Sequence, residues 1–344
     1  MSKKILIIGA GGFVGSYLSD FFLKKNFKVI GIDNLSRNGS RHNIQNLKKN
    51  PDFLFYKIDI VNNKKIEKFF ANNRNFQSII HLAGQVSLID SVYDPVNDFE
   101  INARGTLNIL ESVRKYSKES NFIFSSTNKV YGDLSDLKIK KKNNKMYFEK
   151  FTSGIDEKYN LNFCGPYGCS KGAAESYVRD YSKIYNLKTY VLRKSCLFGN
   201  NQFGIEGQGW ISWIVIAAML NKQITIYGDG NQSRDILHIE DLAELYLKIS
   251  NLKKKIKHNT FNVGGGRANI ISVNDLISIL VKGKILNRKL KYENERPADQ
   301  KLFYSNNSNL YKLFKWKPKI SAKIGISRMI NNYLIKLKVL KKIY

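Results

Sequence analysis

Cysteine is scarce in this 344-residue chain: there are three, Cys164, Cys169 and Cys196, alongside four histidines. Three thiols cannot build a disulfide framework, and with the histidines scattered their spacing matches no zinc pattern, so neither staples nor a metal is expected to hold the fold. Long apolar runs are also missing. The longest, Trp210 to Leu220, is interrupted by Ser212 and falls well short of the ~20 residues that cross a bilayer, which predicts a core helix and no membrane span. From Met1 the chain passes through two lysines directly into an apolar strand. It has no apolar leader with a small-residue cleavage site, and a cytoplasmic protein is expected. No internal repeat is present.

Acidic residues are few as well, 28 against 57 lysines and arginines, for a net charge of +29. Such an excess attracts phosphate-rich partners at long range. Here it is smeared along a chain in which Lys and Asn abound everywhere, and no DNA- or RNA-binding module accompanies it, so nucleic acid is not an expected partner. The one biased segment, Lys138 to Lys145, reads as a solvated loop.

What the chain does have is a hydrophobic content of 43%, which excludes disorder and suffices for one sizeable core plus a smaller one. Short β-branched runs alternate with helical segments from Lys4 to about Arg193. Strands are predicted at Ile5–Ile8, Lys28–Ile32, Ser78–His81, Asn121–Phe124 and Thr189–Leu192. This is the pattern of an α/β fold, a Rossmann-type doubly wound parallel sheet. Beyond Phe198 strand-like pieces at Ile224–Ile226 and Thr260–Val263 mix with helices such as Ser272 to Val281, where Ser272 followed by Asp275 marks a helix start. The expected division is 1–198, with a loop at 133–163, for nucleotide binding, and 199–344 as a smaller C-terminal α/β substrate-binding lid.

Right after the first strand stands Gly9-Ala10-Gly11-Gly12-Phe13-Val14-Gly15. Between a strand and a helix, small residues let the backbone approach a pyrophosphate, and the helix N-terminus offers aligned N–H donors. The second strand ends at Asp33, where a carboxylate can accept the adenosine ribose hydroxyls and repel a 2′-phosphate. That favours NAD over NADP, a preference the nearby Arg37 softens.

Tyr167-Gly168-Cys169-Ser170-Lys171 sets a phenol and an ammonium one helical turn apart. A free phenol is a poor base at neutral pH, and a neighbouring cation is expected to lower its pKa. Upstream, Phe124-Ser125-Ser126-Thr127 ends a strand at the sheet edge where ligands bind, and Thr127 can offer a hydroxyl to a reacting oxygen.

In this order and spacing the three elements resemble the extended short-chain dehydrogenase/reductase family of nucleotide-sugar epimerases, dehydratases and reductases, from Lys4 to about Arg328. The resemblance implies bound NAD and a catalytic trio of Thr127, Tyr167 and Lys171. It implies cofactor contacts from Gly9, Gly12, Phe13, Val14, Gly15, Asp33, Asn34, Arg37, Asp59, Ile60, Leu82, Ala83, Gly84, Asn102, Ser125 and Lys194 as well as from Tyr167 and Lys171. In the lid, Ser233-Arg234-Asp235 and Arg296-Pro297-Ala298-Asp299 resemble sugar-nucleotide elements, with Arg234 and Arg296 as the pyrophosphate clamp. Gln85, Thr127, Asn128 and Gln208 join them as substrate contacts.

Dehydratases of this family carry Asp-Glu directly after the threonine, whereas this chain has Asn128-Lys129 and lacks that proton shuttle. Longer stretches, Asp33–Arg37, His81–Val86, Ser125–Gly132 and Tyr167–Ala174, together with Gln202-Phe203 and Gln208-Gly209-Trp210, resemble the family's epimerases that act at C2 of CDP-sugars. That implies oxidation of the C2 hydroxyl, a transient 2-keto sugar nucleotide, and reduction on the other face. The alternatives are a UDP-sugar 4-epimerase, a dehydratase, or a non-catalytic NAD- or polyanion-binding protein. By resemblance a homodimer or homotetramer is also expected.

Overall fold

A computed structural model describes residues 3–142, 145–287, 289–296 and 299–344. The chain forms two compact units. The first comprises 1–127, 165–193 and 242–261, and the second 128–164, 194–241 and 262–344.

The first unit is organised by a seven-stranded sheet of β1 (Lys4–Ile8), β2 (Lys28–Asp33), β3 (Phe53–Lys57), β4 (Ser78–His81), β5 (Asn121–Thr127), β6 (Lys188–Lys194) and β7 (Thr260–Val263), in the order β7-β6-β5-β4-β1-β2-β3. Pairing is parallel from β3 through β2, β1 and β4 to β5. The inner strands carry apolar residues on both faces, as helices on either side of a parallel sheet require. Leu6, Ile8, Ile30, Ile32, Ile79, Phe122 and Phe124 pack with Phe69, Phe70, Ile109 and Val178 from the helices. The order of strands reverses between β1 and β4, the switch point where such sheets bind ligands.

In the second unit the strand Ser233–His238 pairs in parallel with Cys196–Phe198 and Leu302–Phe303 and antiparallel with Ile270–Ser272. Ile211, Ile214 and Val215 of the helix Trp210–Met219 pack with Leu276, Leu280, Ile326 and Met329 into its own core. Ser272 caps the helix Val273–Lys282 in a reciprocal box with Asp275.

Two expectations are corrected. Lys138 to Lys145 is not a plain loop: Ile139–Lys142 and Lys145–Phe148 pair antiparallel, because Ile139, Met146 and Phe148 bring apolar side chains to a cluster with Tyr304. The chain also does not divide at 198. The segment 242–261 returns to the first sheet, where Asn121 Nδ2 donates to the Leu252 carbonyl at 2.8 Å and the Val191 amide to the Asn259 carbonyl at 2.7 Å. Residues 128–164 and 194–198 belong to the second unit. No helix among the described residues is long and apolar enough to cross a membrane.

Candidate active site

At the C-terminal end of β1, Gly9 has φ +92°, and a Cβ there would stand 2.7 Å from the Ala83 amide nitrogen. Glycine thus allows the loops after β1 and β4 to meet. A Cβ on Gly15 would lie 2.0 Å from the Gly9 carbonyl, so the first helix, Phe13–Leu23, sits tight against its own loop. Gly12 caps that helix without a side-chain hydrogen bond, and its first turn holds no acid. The Gly12 Cβ position is crowded by nothing nearer than 3.5 Å. Open N–H donors at a helix start with space above them fit a pyrophosphate.

Asp33 Oδ2 accepts from the Gly11 amide at 2.9 Å and Oδ1 from the Leu35 amide at 2.7 Å. Burial pushes this carboxyl up, and those amides and Arg37 offset part of the rise. Asn34 Nδ2 donates to Asp59 Oδ2 at 2.8 Å, and the buried Ile60 packs where a Gly105 side chain would be. Leu82 and Ala83 both donate backbone N–H to the Ile8 carbonyl. Gly84 faces Asn102 Oδ1 and Lys171 Nζ, 2.8 and 3.9 Å from its would-be Cβ. Asn102 is buried, and its Oδ1 has no protein donor among the described residues. The cradle, the acid and this waiting acceptor fit a dinucleotide.

Tyr167 and Lys171 lie in the long helix Gly165–Ile184. Thr127, at the end of β5, hydrogen-bonds the Tyr167 phenol. Burial pushes that phenol up to about 12, Thr127 and Arg37 draw it down, and Asp98 raises it. The expected lowering by Lys171 is therefore corrected. Lys171 is itself buried and held down to about 8, with Asp98 and then Glu175 answering its charge, and the cation that eases the phenol is Arg37. Lys171 Nζ also stands 4.3 Å above the Phe124 ring. Arg37 feels Asp90, Tyr167 and Asp33, while burial lowers its own pKa. Gln85 Nε2 donates to the Ser87 carbonyl at 2.7 Å, and Ser125 is half-buried in β5.

In the second unit Arg234 donates to Asp299 Oδ1 at 2.7 Å, and Lys129 reaches the same oxygen at 3.2 Å. The buried Arg234 and the half-buried Lys129 overcome the effect of burial and hold the Asp299 carboxyl low. Asn128 Nδ2 donates to Gln300 Oε1 at 2.8 Å. Arg296 stacks 3.7 Å over Tyr227, donates to the Glu206 carbonyl at 3.2 Å and lines a cavity with Asn231, Asp299 and Lys301. Gln208 pairs with Ile205 in a tight backbone turn, and Lys194 is half-buried at the end of β6. Pro297 and Ala298 lie outside the described residues.

Sequence reasoning missed Asp98 and the role of Lys129 as a second cation on Asp299. Asp98 belongs to no spaced motif, Lys129 was read only as a replacement within one, and each acquires its setting from residues distant in sequence.

A profile of the NAD dependent epimerase/dehydratase family matches residues 5–264. A CDP-paratose 2-epimerase of Salmonella typhi is 39% identical over 331 residues, 95% of this chain and 98% of that protein. The crystal structure of a UDP-glucose 4-epimerase from Thermotoga maritima with UDP-glucose superposes with a TM-score of 0.83 at 27% identity, covering 97% of this chain and 99% of the other. A UDP-glucuronic acid 4-epimerase from Bacillus cereus, in complex with UDP-glucuronic acid and NAD, gives a TM-score of 0.80 at 25% identity over 99% of this chain and 100% of its own.

Proposed function

The chain belongs to the NAD dependent epimerase/dehydratase family, and from that premise we propose that it inverts C2 of a CDP-linked sugar through a transient 2-keto intermediate. The observation that carries this reading is the end-to-end likeness to the Salmonella CDP-paratose 2-epimerase. Asn128 and Lys129 support it, since neither can serve as the carboxylic acid that dehydration needs after Thr127.

Bound NAD supplies the hydride acceptor and donor for the sugar carbon. The backbone of Gly9 to Gly15 and the start of the first helix would hold its pyrophosphate and Asp33 its adenosine ribose, with Asn102 and Lys171 as further cofactor contacts. Thr127 positions the reacting oxygen by a hydrogen bond. Tyr167, as the phenolate, takes the hydroxyl proton, is a neutral phenol while the 2-keto sugar exists, and then returns the proton. The Arg37 guanidinium offsets part of the burial that opposes the phenol's charged form, and Lys171, one helical turn on, would hold the cofactor's ribose. Arg234 and Arg296 provide planar donors for the substrate diphosphate.

The free cysteines Cys164, Cys169 and Cys196 suit a reducing, cytoplasmic setting. The helices Leu88–Tyr93 and Pro95–Phe99 pack on the long helix and expose Tyr93, Val96 and Phe99, while the long helix exposes Tyr177 and Ile184. We read this face as the contact between copies in a homodimer or homotetramer.

The test uses CDP- and UDP-sugars deuterated at C2 or C4, with products identified by NMR in H₂O and D₂O. A CDP-sugar inverted at C2 with its deuterium retained is the expected result. Deuterium lost to solvent excludes the hydride cycle, and inversion of a UDP-sugar at C4 moves the protein to the 4-epimerases.

A further inference from the structure

Asp98 is a fully buried carboxylate beside the Tyr167–Lys171 pair, and the chemistry above gives it no task. Glu175, the other buried acid near Lys171, already receives the Arg193 guanidinium and, at 2.7 Å, the Ser126 hydroxyl. Asp98 instead meets neutral donors. Ser170 Oγ donates to its Oδ2, and Asn102 Nδ2 donates to its Oδ1 at 3.1 Å and to Ser170 Oγ at 3.1 Å.

These three side chains close a triangle across three elements. Asp98 comes from the helix Pro95–Phe99, Asn102 from the single π-helical turn Glu100–Arg104, and Ser170 from the long helix, directly before Lys171. Wide π turns are frequent at functional sites. Here the turn carries the amide that bonds both Asp98 and Ser170.

We propose that Asp98 is a positioning residue for the epimerase reaction, tethering the helical turn of Tyr167 and Lys171 through Ser170 and Asn102 and setting a buried carboxylate beside the pair. The inference rests on Tyr167 and Lys171 being the working pair.

The charged groups around the pair define what Asp98 does. Lys171 faces Asp98 and Glu175, with neutral His81 on β4 behind it, and Tyr167 faces Asp98 and Arg37. Asp98 opposes the lowering of Lys171 by burial and adds to the raising of Tyr167. One negative charge thus acts on both titrations in the same direction, and its loss lowers both.

In the NAD-loaded enzyme Asp98→Asn should leave NAD content and KM within about twofold, cut kcat about tenfold and move both limbs of the pH–kcat profile to lower pH by about half a unit or more. Asp98→Glu, which restores the charge, should bring the limbs back. A kcat loss with both limbs in place shows mere structural damage and overturns the proposal, as does a profile identical to the native one. Should D98N fail to fold, S170A takes over: it keeps the charge and cuts the tether, so kcat falls with the limbs unmoved, and native kcat refutes the tether. Tyr167→Phe separates the two readings. Native turnover in Y167F refutes the working pair itself, whereas a dead Y167F beside an unshifted D98N refutes only the role of Asp98.

Discussion

Burial pushes the Tyr167 phenol up to about 12 and the Lys171 ammonium down to about 8. In the proposed reaction the phenolate takes the sugar hydroxyl's proton and the resulting phenol gives it back, so this one oxygen is the relay. The Arg37 guanidinium offsets part of the burial that opposes its charged form. Tyr167→Phe keeps the ring and removes the relay, so turnover should fall by roughly 10²- to 10⁴-fold with NAD content unchanged. Near-native turnover measured with a C2-epimerisable substrate would place the base elsewhere. The residues behind this prediction were legible in the sequence because each pair lies on one element or at one strand end: Tyr167 and Lys171 a turn apart, Thr127 closing β5, Asp33 closing β2. Asp98 was not legible. Its bond to Ser170 spans 72 positions, and nothing in its local pattern distinguishes it from a surface acid in the first turn of a short helix.

Elements followed the same division between local and non-local information. Buried strands announce themselves as runs of Ile, Val and Phe, and the helix Val273–Lys282 as Ser272 with Asp275. Removing that cap should be felt: Ser272→Ala deletes the acceptor for the Asp275 amide and is expected to cost about 1 kcal/mol, read as a lower denaturant midpoint at unchanged slope. A midpoint equal to the native one would mean the cap is replaced by water. The strand at Thr260–Val263 was recognisable as a strand, yet the sheet it joins was not, since only the fold brings it beside β6. The antiparallel pair Ile139–Lys142 and Lys145–Phe148 was hidden by the lysines and asparagines of that segment. Its period-two apolar residues, Ile139, Met146 and Phe148, carry the signal, and their burial against Tyr304 decides the conformation.

At the scale of the whole molecule, a net charge of +29 and an exposed apolar face oppose one another. Tyr93 is 85% exposed and Val96 72%, which is costly in water and favours pairing with a second copy. Like charge on the two copies repels over a Debye length of about 30 Å at 0.01 M salt and about 8 Å at 0.15 M. Added salt therefore weakens the repulsion and leaves the apolar attraction in place, so self-association should tighten. Adventitious binding to a polyanion has the opposite dependence, because it is driven by release of counterions and fades as salt rises. Sedimentation equilibrium of the NAD-loaded protein at the two salt concentrations should give a dimer or tetramer with a lower dissociation constant at the higher salt, while its retention on a DNA matrix falls. Val96→Lys should shift the population toward monomer without altering NAD content. A monomer at every concentration, or an oligomer that loosens as salt is added, would assign the apolar face to something other than self-pairing.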